Sequence, residues 1–482
     1  MVRLLDDDVL LDIFGFYVDE AMGKELEIQR TMEWITLVHV CRRWRSVVFQ
    51  SPRRLNLHLV CKLRTPFLDT IDIWPPLPLI IRGDNDDEEI PPGVDNTIDA
   101  LEHNDRICQI DLICSYSRMK IVTESAAMQN PFRELTHLKL AVVNTDGPML
   151  PDSFLCGTAP RLRSLVLFRI KFLALPKLLL SATHLVNLDL CIPYLGYIPP
   201  ETMAPGLSAL TNLEFLRLDL SGFTQPDLER LRPPPPLVTR SVLPSLTTML
   251  FGGFSVYLEE ILARIDAPRL NKIHLNFFNK FTVDTPQLFQ FISRRPTLMA
   301  LETGHIIICS GRVLETIVVK LSSKTSDLGV LSVKIQCMML EWQLSSLERF
   351  CTSLPPISTL EDLHILQDKD LYSQEPWLDD IENSPWLRLL RPFTAVKNLY
   401  LCDKFVPRIA STLEDLTGAR TTEVLPILDN IFLEGPQPSG PLHEGIETFV
   451  AARRLTGHPV AVSRWDKRGS EIDNSVYRSF VM

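Results

Sequence analysis

Ten histidines and ten cysteines are the residues of this chain best equipped for chemistry, and their spacing commits them to none. A zinc-protease helix needs HExxH, a nucleophile elbow needs a serine set between glycines, and phosphate-binding turns need clustered glycines so that phosphate can reach the backbone. None of these patterns occurs. Cys108 with Cys114, and Cys337 with Cys351, lack further neighbours at the spacing of a zinc site. Asp84, Asp86, Asp87 and Glu88 lie in an acidic run, residues 83–96, that could offer oxygens to calcium, but the run lacks the glycine and closing glutamate of an EF-hand loop. It reads as a solvated loop ending in a Pro-Pro-Gly turn. No catalytic residue, metal site or cofactor is expected, and the chemistry that remains is recognition.

The elements that would present a recognition surface fall into a short head and a long repetitive body. In the head, Asp6, Asp7 and Asp8 stand where a helix begins, suited to cap its unpaired N–H groups and to favour the positive end of its dipole. Val9, Leu10, Ile13, Phe14 and Tyr17 follow at three- and four-residue spacing, which places them on one helix face. A second helix is predicted from Trp34, with Leu37, Val38, Cys41, Trp44 and Val48 at the same period, ending near Ser51-Pro52. Two such helices cannot bury their apolar residues alone, so part of that surface is expected to meet another chain.

LLDDDVLLDIF followed by LVHVCRRWRSVV resembles an F-box of the form abundant in fungal proteins, over roughly residues 4–57. The resemblance implies docking on the Skp-type adaptor, and through it cullin, of a Skp-cullin-F-box ubiquitin ligase. Its contact positions fall on Leu5, Val9, Leu10, Ile13, Phe14, Leu37, Val40, Cys41 and Trp44. Two features depart from the family: Leu5-Asp6 replaces its Leu-Pro start, and a polar stretch from Asp19 to Glu33 lengthens the link between helices. These departures leave open an alternative, a repeat scaffold or inhibitor with a vestigial F-box. Helices that merely cap the repeats are another.

The body repeats Leu-x-x-Leu-x-Leu. Strand cores start at Ile107, Leu135, Leu162, Leu185, Leu213, Leu246, Leu270, Leu298, Leu328, Leu360, Val396 and Leu428, roughly every 29 residues. That period is the signature of leucine-rich repeats, in which one strand and one return segment bury their leucines only by stacking on the next unit. The expected fold class is α/β: a small N-terminal helical F-box (1–57), a connecting segment with the first strands and the acidic loop (58–105), degenerate repeats (106–440), and a C-terminal helix-strand cap with a frayed tail (441–482). The repeats would form a horseshoe solenoid with a parallel sheet on its concave face. Return helices are predicted at 226–231, 257–265, 285–293, 314–321 and 344–351, and Leu55, Leu57, Leu59 and 77–81 as the first strand segments. Prolines 160, 244, 268 and 296 stand just before strands, where they end the preceding helix. The proline run at 232–237 reads as a polyproline loop.

The residues flanking each middle leucine point out of the sheet. They include His137 and Lys139, Asn187 and Asp189, Phe215 and Arg217, Lys272 and His274, Ala300 and Glu302, Asp362 and His364, Asn398 and Tyr400, and Asn430 and Phe432. Mixed in sign and apolarity, they suit a protein client. Phe215, Arg217, Lys272, His274, Asp362, His364, Tyr400 and Phe432 are its candidate contacts, since aromatics and arginine are enriched among binding hot spots. A net charge of −10 argues against nucleic-acid binding, which needs clustered Lys and Arg. No apolar run reaches the length of a membrane helix, no CxxC pair occurs, and the acidic first helix is unlike a signal peptide. The chain is expected to be intracellular, in cytoplasm or nucleus, with reduced thiols.

Overall fold

The computed structural model describes residues 5–22, 34–52, 54–62, 71, 73–83, 93–143, 146–192, 196–220, 240–278, 285–309, 315–323, 329–337, 340–367, 383–416, 418–435 and 443–465. The chain divides into two compact units, Met1–Asp227 with Ser241–Leu246, and Leu228–Arg240 with Thr247–Met482. Each carries a mostly parallel β-sheet with helices between the strands, a mixed α/β architecture.

The first unit opens with three helices rather than the two predicted: α1 (Asp7–Met22), α2 (Trp34–Val40) and α3 (Arg42–Gln50). The predicted second helix breaks at Cys41, whose φ of −161° and ψ of 168° are extended. Its Sγ accepts a hydrogen bond from the Trp44 amide at 3.5 Å and so caps α3. The reason is local. The β-branched Val38 and Val40 are weak helix formers, and the thiol offers the next helix an acceptor. At the start of α1, Asp6 accepts from the Asp7 amide at 2.7 Å, and Asp7 and Asp8 occupy the first turn. Trp34 donates its indole N–H to the carbonyl of His58 at 3.0 Å and packs edge-on against Trp74, tying α2 to the segment before the sheet.

That sheet runs in sequence order through β1 (Leu59–Lys62), β2 (Leu79–Gly83), β3 (Ile107–Cys114), β4 (His137–Val142), β5 (Ser164–Phe168), β6 (Asn187–Cys191) and β7 (Phe215–Asp219), every pair parallel. Repeat leucines such as Leu138, Leu165, Leu188 and Leu216 are buried, and the intervening residues face the other way. The predicted loop 83–96 is corrected at both ends. Gly83 closes β2, and residues 93–96 begin the helix Gly93–Leu101. Asp84, Asp86, Asp87 and Glu88 lie outside the described residues, as do 226–231 and the proline run 232–237.

After the short β8 (Ser241–Val242), the second unit holds β9 (Thr248–Gly253), β10 (Ile265–Asp266), β11 (Lys272–Phe278), β12 (Thr303–Cys309), β13 (Glu315–Ser322), β14 (Val330–Cys337), β15 (Asp362–Gln367), β16 (Asn398–Leu401), β17 (Asn430–Glu434) and β18 (Ala461–Trp465). Its sheet order is β9, β11, β14, β13, β12, β15, β16, β17, β18. Two predictions fail here. Residues 314–321, expected as a helix, form β13, and the strand expected from Leu298 begins only at Thr303, because Pro296–Met299 is a helical turn. Ala300 and Glu302 are therefore not an outward strand pair.

The physical reason is chain length between strands. Five residues join β12 to β13, and seven join β13 to β14, whereas a parallel crossover needs about a dozen or more. The strands must therefore run antiparallel, as they do. The β-branched runs HIII and TIVV favour strand over helix at both places.

The helices Ser255–Arg264, Pro286–Ser293 and Leu340–Ser353 contain the three other return segments predicted within the described residues. Buried Glu259 accepts from the Gln287 and Leu288 amides, both at 2.8 Å, and so caps the helix that Pro286 begins. Arg295 and Arg453 are fully buried and spend their guanidinium N–H groups on carbonyls: Ala267 and Phe291 for the first, Leu425 and Pro426 for the second. The predicted C-terminal cap is present as the helix Glu444–Leu455 and β18, which extends to Trp465 and pairs in parallel with β17.

Candidate functional site

Two surfaces stand out, one on each compact unit. On the first, α1 is apolar on two sides. Leu10 and Phe14 are 1% and 0% exposed, while Val9 and Ile13 are 45% and 48% exposed, continued by Phe16 and Tyr17. Positions 9, 13, 16 and 17 share a stripe by helical period. Leu5 and Val40 are also exposed, as is Cys41. Leu37 is buried, and half-buried Trp44 sets its ring 4.7 Å from that of Phe14.

The nine adaptor positions thus divide. Leu10, Phe14 and Leu37 hold the three helices together, Trp44 bridges core and surface, and Leu5, Val9, Ile13, Val40 and Cys41 remain available. Phe16 was missed, although the same period places it in the stripe. The arginines brace the arrangement: Arg43 donates to Asp7 at 2.7 Å, Arg54 to Asp8 at 2.9 Å and Asp12 at 2.6 Å, and Arg45 to the carbonyl of Val38.

On the sheet of the first unit, Phe215 is half-buried and Arg217 is buried rather than presented. Arg217 lies 3.7 Å from Asp189 and 3.4 Å from Asp219. Burial raises the Asp189 carboxyl, an effect that Arg217 opposes and Asp219 reinforces. A guanidinium held this way serves the strand row more than a client.

The second surface is built by register. Parallel strands stand about 4.8 Å apart, so rings at equivalent positions of successive strands must stack. His305, His364, Tyr400 and Phe432 are register partners in turn. Their ring centroids follow at 4.5, 4.1 and 4.5 Å, with interplanar angles of 21°, 3° and 9°. Trp465 stands nearly perpendicular to His364 and Tyr400, at 78° and 81°. The faces of those two rings are taken by their stack neighbours, so it is their edges that lie on the indole.

Two residues earlier on each strand runs a polar row: Asn398 donates to Asp362 at 2.7 Å and Asn430 to Asn398 at 2.8 Å. His274 belongs to the same face through Ser332, Lys320 and His305, which pair in turn across β14, β13 and β12. Exposed Lys272 precedes His274 by two residues.

Burial, above all, keeps the imidazoles of His274, His305 and His364 neutral, holding them at about 4, 3 and 4. Lys320 and Lys272 lower His274 further, and His364 and Lys320 lower His305 further.

Six predicted client residues therefore share one face: Lys272, His274, Asp362, His364, Tyr400 and Phe432. His305 and Trp465 complete the ladder and were missed. The first was hidden by placing a strand at Leu298, the second by ending the last strand at Val462. Lys320 was hidden by the helix predicted over 314–321.

Among the described residues, no three His, Cys, Asp or Glu side chains gather as metal ligands would, and no helix is long and apolar enough to cross a membrane. No protein-family model matches the chain, and no curated protein matches it significantly.

Proposed function

We propose that this chain is the substrate-receptor subunit of a Skp-cullin-F-box ubiquitin ligase, with an F-box head and leucine-rich repeats. The head docks on the Skp-type adaptor, and the sheet face holds a protein client. One observation carries the reading: α1 covers Leu10 and Phe14 with its own chain and leaves the Val9, Ile13, Phe16 and Tyr17 stripe exposed. A helix apolar on both sides is costly in water unless a partner takes the second side. The subunit performs no bond chemistry. It acts by holding a client lysine near a charged conjugating enzyme, which raises effective concentration and replaces a chance encounter by a tethered one.

Co-expression with the Skp-type adaptor tests this directly. Wild type should capture the adaptor, Val9→Asp and Ile13→Asp should lose it while keeping the wild-type melting temperature, and Leu10→Asp should lose the fold of the head. Failure of the wild-type chain to capture the adaptor leaves the vestigial F-box scaffold as the better account.

A further inference from the structure

The second unit's sheet carries a feature that the client-binding reading leaves unused. On the five adjacent strands β9, β11, β14, β13 and β12, the only charged residues with described side chains are Lys272, Lys320 and Lys334. All three lie on one face. Lys320 pairs with Ser332, which pairs with His274, while Lys272 lies two residues before His274 and Lys334 two after Ser332. Neighbouring strands are about 5 Å apart and same-face residues about 7 Å apart, so the three form one basic tract. Its sign opposes the net charge of −10 of the whole chain.

The histidines of this face share the tract's polarity. His274 is only 7% exposed, and the Nδ1 atoms of His274, His305 and His364 are buried with no hydrogen-bond partner. A buried N–H without an acceptor is the costlier orphan, so the proton of each neutral ring belongs on Nε2. Nε2 is the nitrogen farther from the backbone, and it faces outward. Three ammonium groups and three imidazole N–H groups thus give this face donors in a row, which match an acceptor-rich ligand.

The adjoining rings of Tyr400, Phe432 and Trp465 call for an apolar group beside those acceptors. Asp362 and Glu434, on the strands that carry these rings, disfavour a continuous polyanion such as nucleic acid.

We infer that this face, taken as the client-binding surface proposed above, docks an extended peptide segment in which Asp or Glu residues meet Lys272, Lys320 and Lys334 and a neighbouring aromatic or leucine side chain rests on the ring ladder. Charge supplies the steering and the ladder supplies the anchor.

Selection from a random peptide library displayed on phage, with the full chain as bait, tests this with unmodified peptides. The enriched sequences should place Asp or Glu next to Trp, Phe or Leu. The double variant Lys272→Glu/Lys320→Glu should bind them about tenfold more weakly or worse, in fluorescence anisotropy, at unchanged melting temperature. His364→Phe, which keeps the stack, should bind far better than Tyr400→Ala.

Enrichment of basic or uncharged peptides, or of none, overturns the inference. So does affinity that the lysine reversals leave intact. A parallel array of phosphoserine peptides separates the remaining source of negative charge: binding confined to those members makes phosphate the ligand and rejects an acidic peptide. Adaptor capture reads the helical head, so its loss with peptide selection intact would refute the ligase reading and leave this one standing.

Discussion

Single residues in this chain are set by what surrounds them more than by their type. His274, His305 and His364 are held below the ordinary value of 6.5, at about 4, 3 and 4, chiefly because burial disfavours a charged ring. The unfolded chain therefore takes up protons first as pH falls. Their contribution to stability is complete above 6.5 and is lost progressively towards about 4, and towards about 3 for His305. The urea midpoint of the wild type should fall from about pH 7 to about pH 5, and that of His364→Phe should fall less steeply, because one titration is gone and the ring remains. Equal slopes would remove His364 from this account.

At the scale of elements, the break between α2 and α3 and the reversal of β13 are the informative cases. Cys41 caps α3 through a thiol, a weaker acceptor than a hydroxyl. Cys41→Ser should keep the break and add up to about 1 kcal/mol of stability, measured by denaturant titration. A loss of stability would mean that the thiol is held there by packing. Ile317, fully buried in β13, should cost about 2 to 5 kcal/mol when cut to Ala. Both features were half legible. The spacing of Trp34, Leu37, Cys41 and Trp44 is helical throughout, and nothing in a period says where a backbone turns out of it. In 314–321 the apolar spacing fits a helix, but TIVVK is β-branched and the gaps on either side are too short for a crossover. That length argument was available in the sequence and outweighs the period.

At the scale of the molecule, the exposed α1 stripe and the basic, ring-bearing sheet face stand on different compact units. Substitutions at the two should act independently. Val9→Asp should leave peptide selection unchanged, Lys272→Glu should leave adaptor capture unchanged, and the double variant should show both losses without an added term in a double-mutant cycle. Coupling between them would point to a client whose binding involves the head.

The residue pattern by itself determined the three-residue grammar of this protein: apolar stripes, a strand at nearly every leucine repeat, and the outward positions of those strands. These follow from periods of 3.6 and 2, which are local. Only the tertiary structure decided which side of α1 is covered, that Arg217 is enclosed by Asp189 and Asp219, and that His305 and Trp465 join His364, Tyr400 and Phe432 in one ladder. Each of those facts depends on which distant strand or helix becomes a neighbour, and sequence separation carries no record of that.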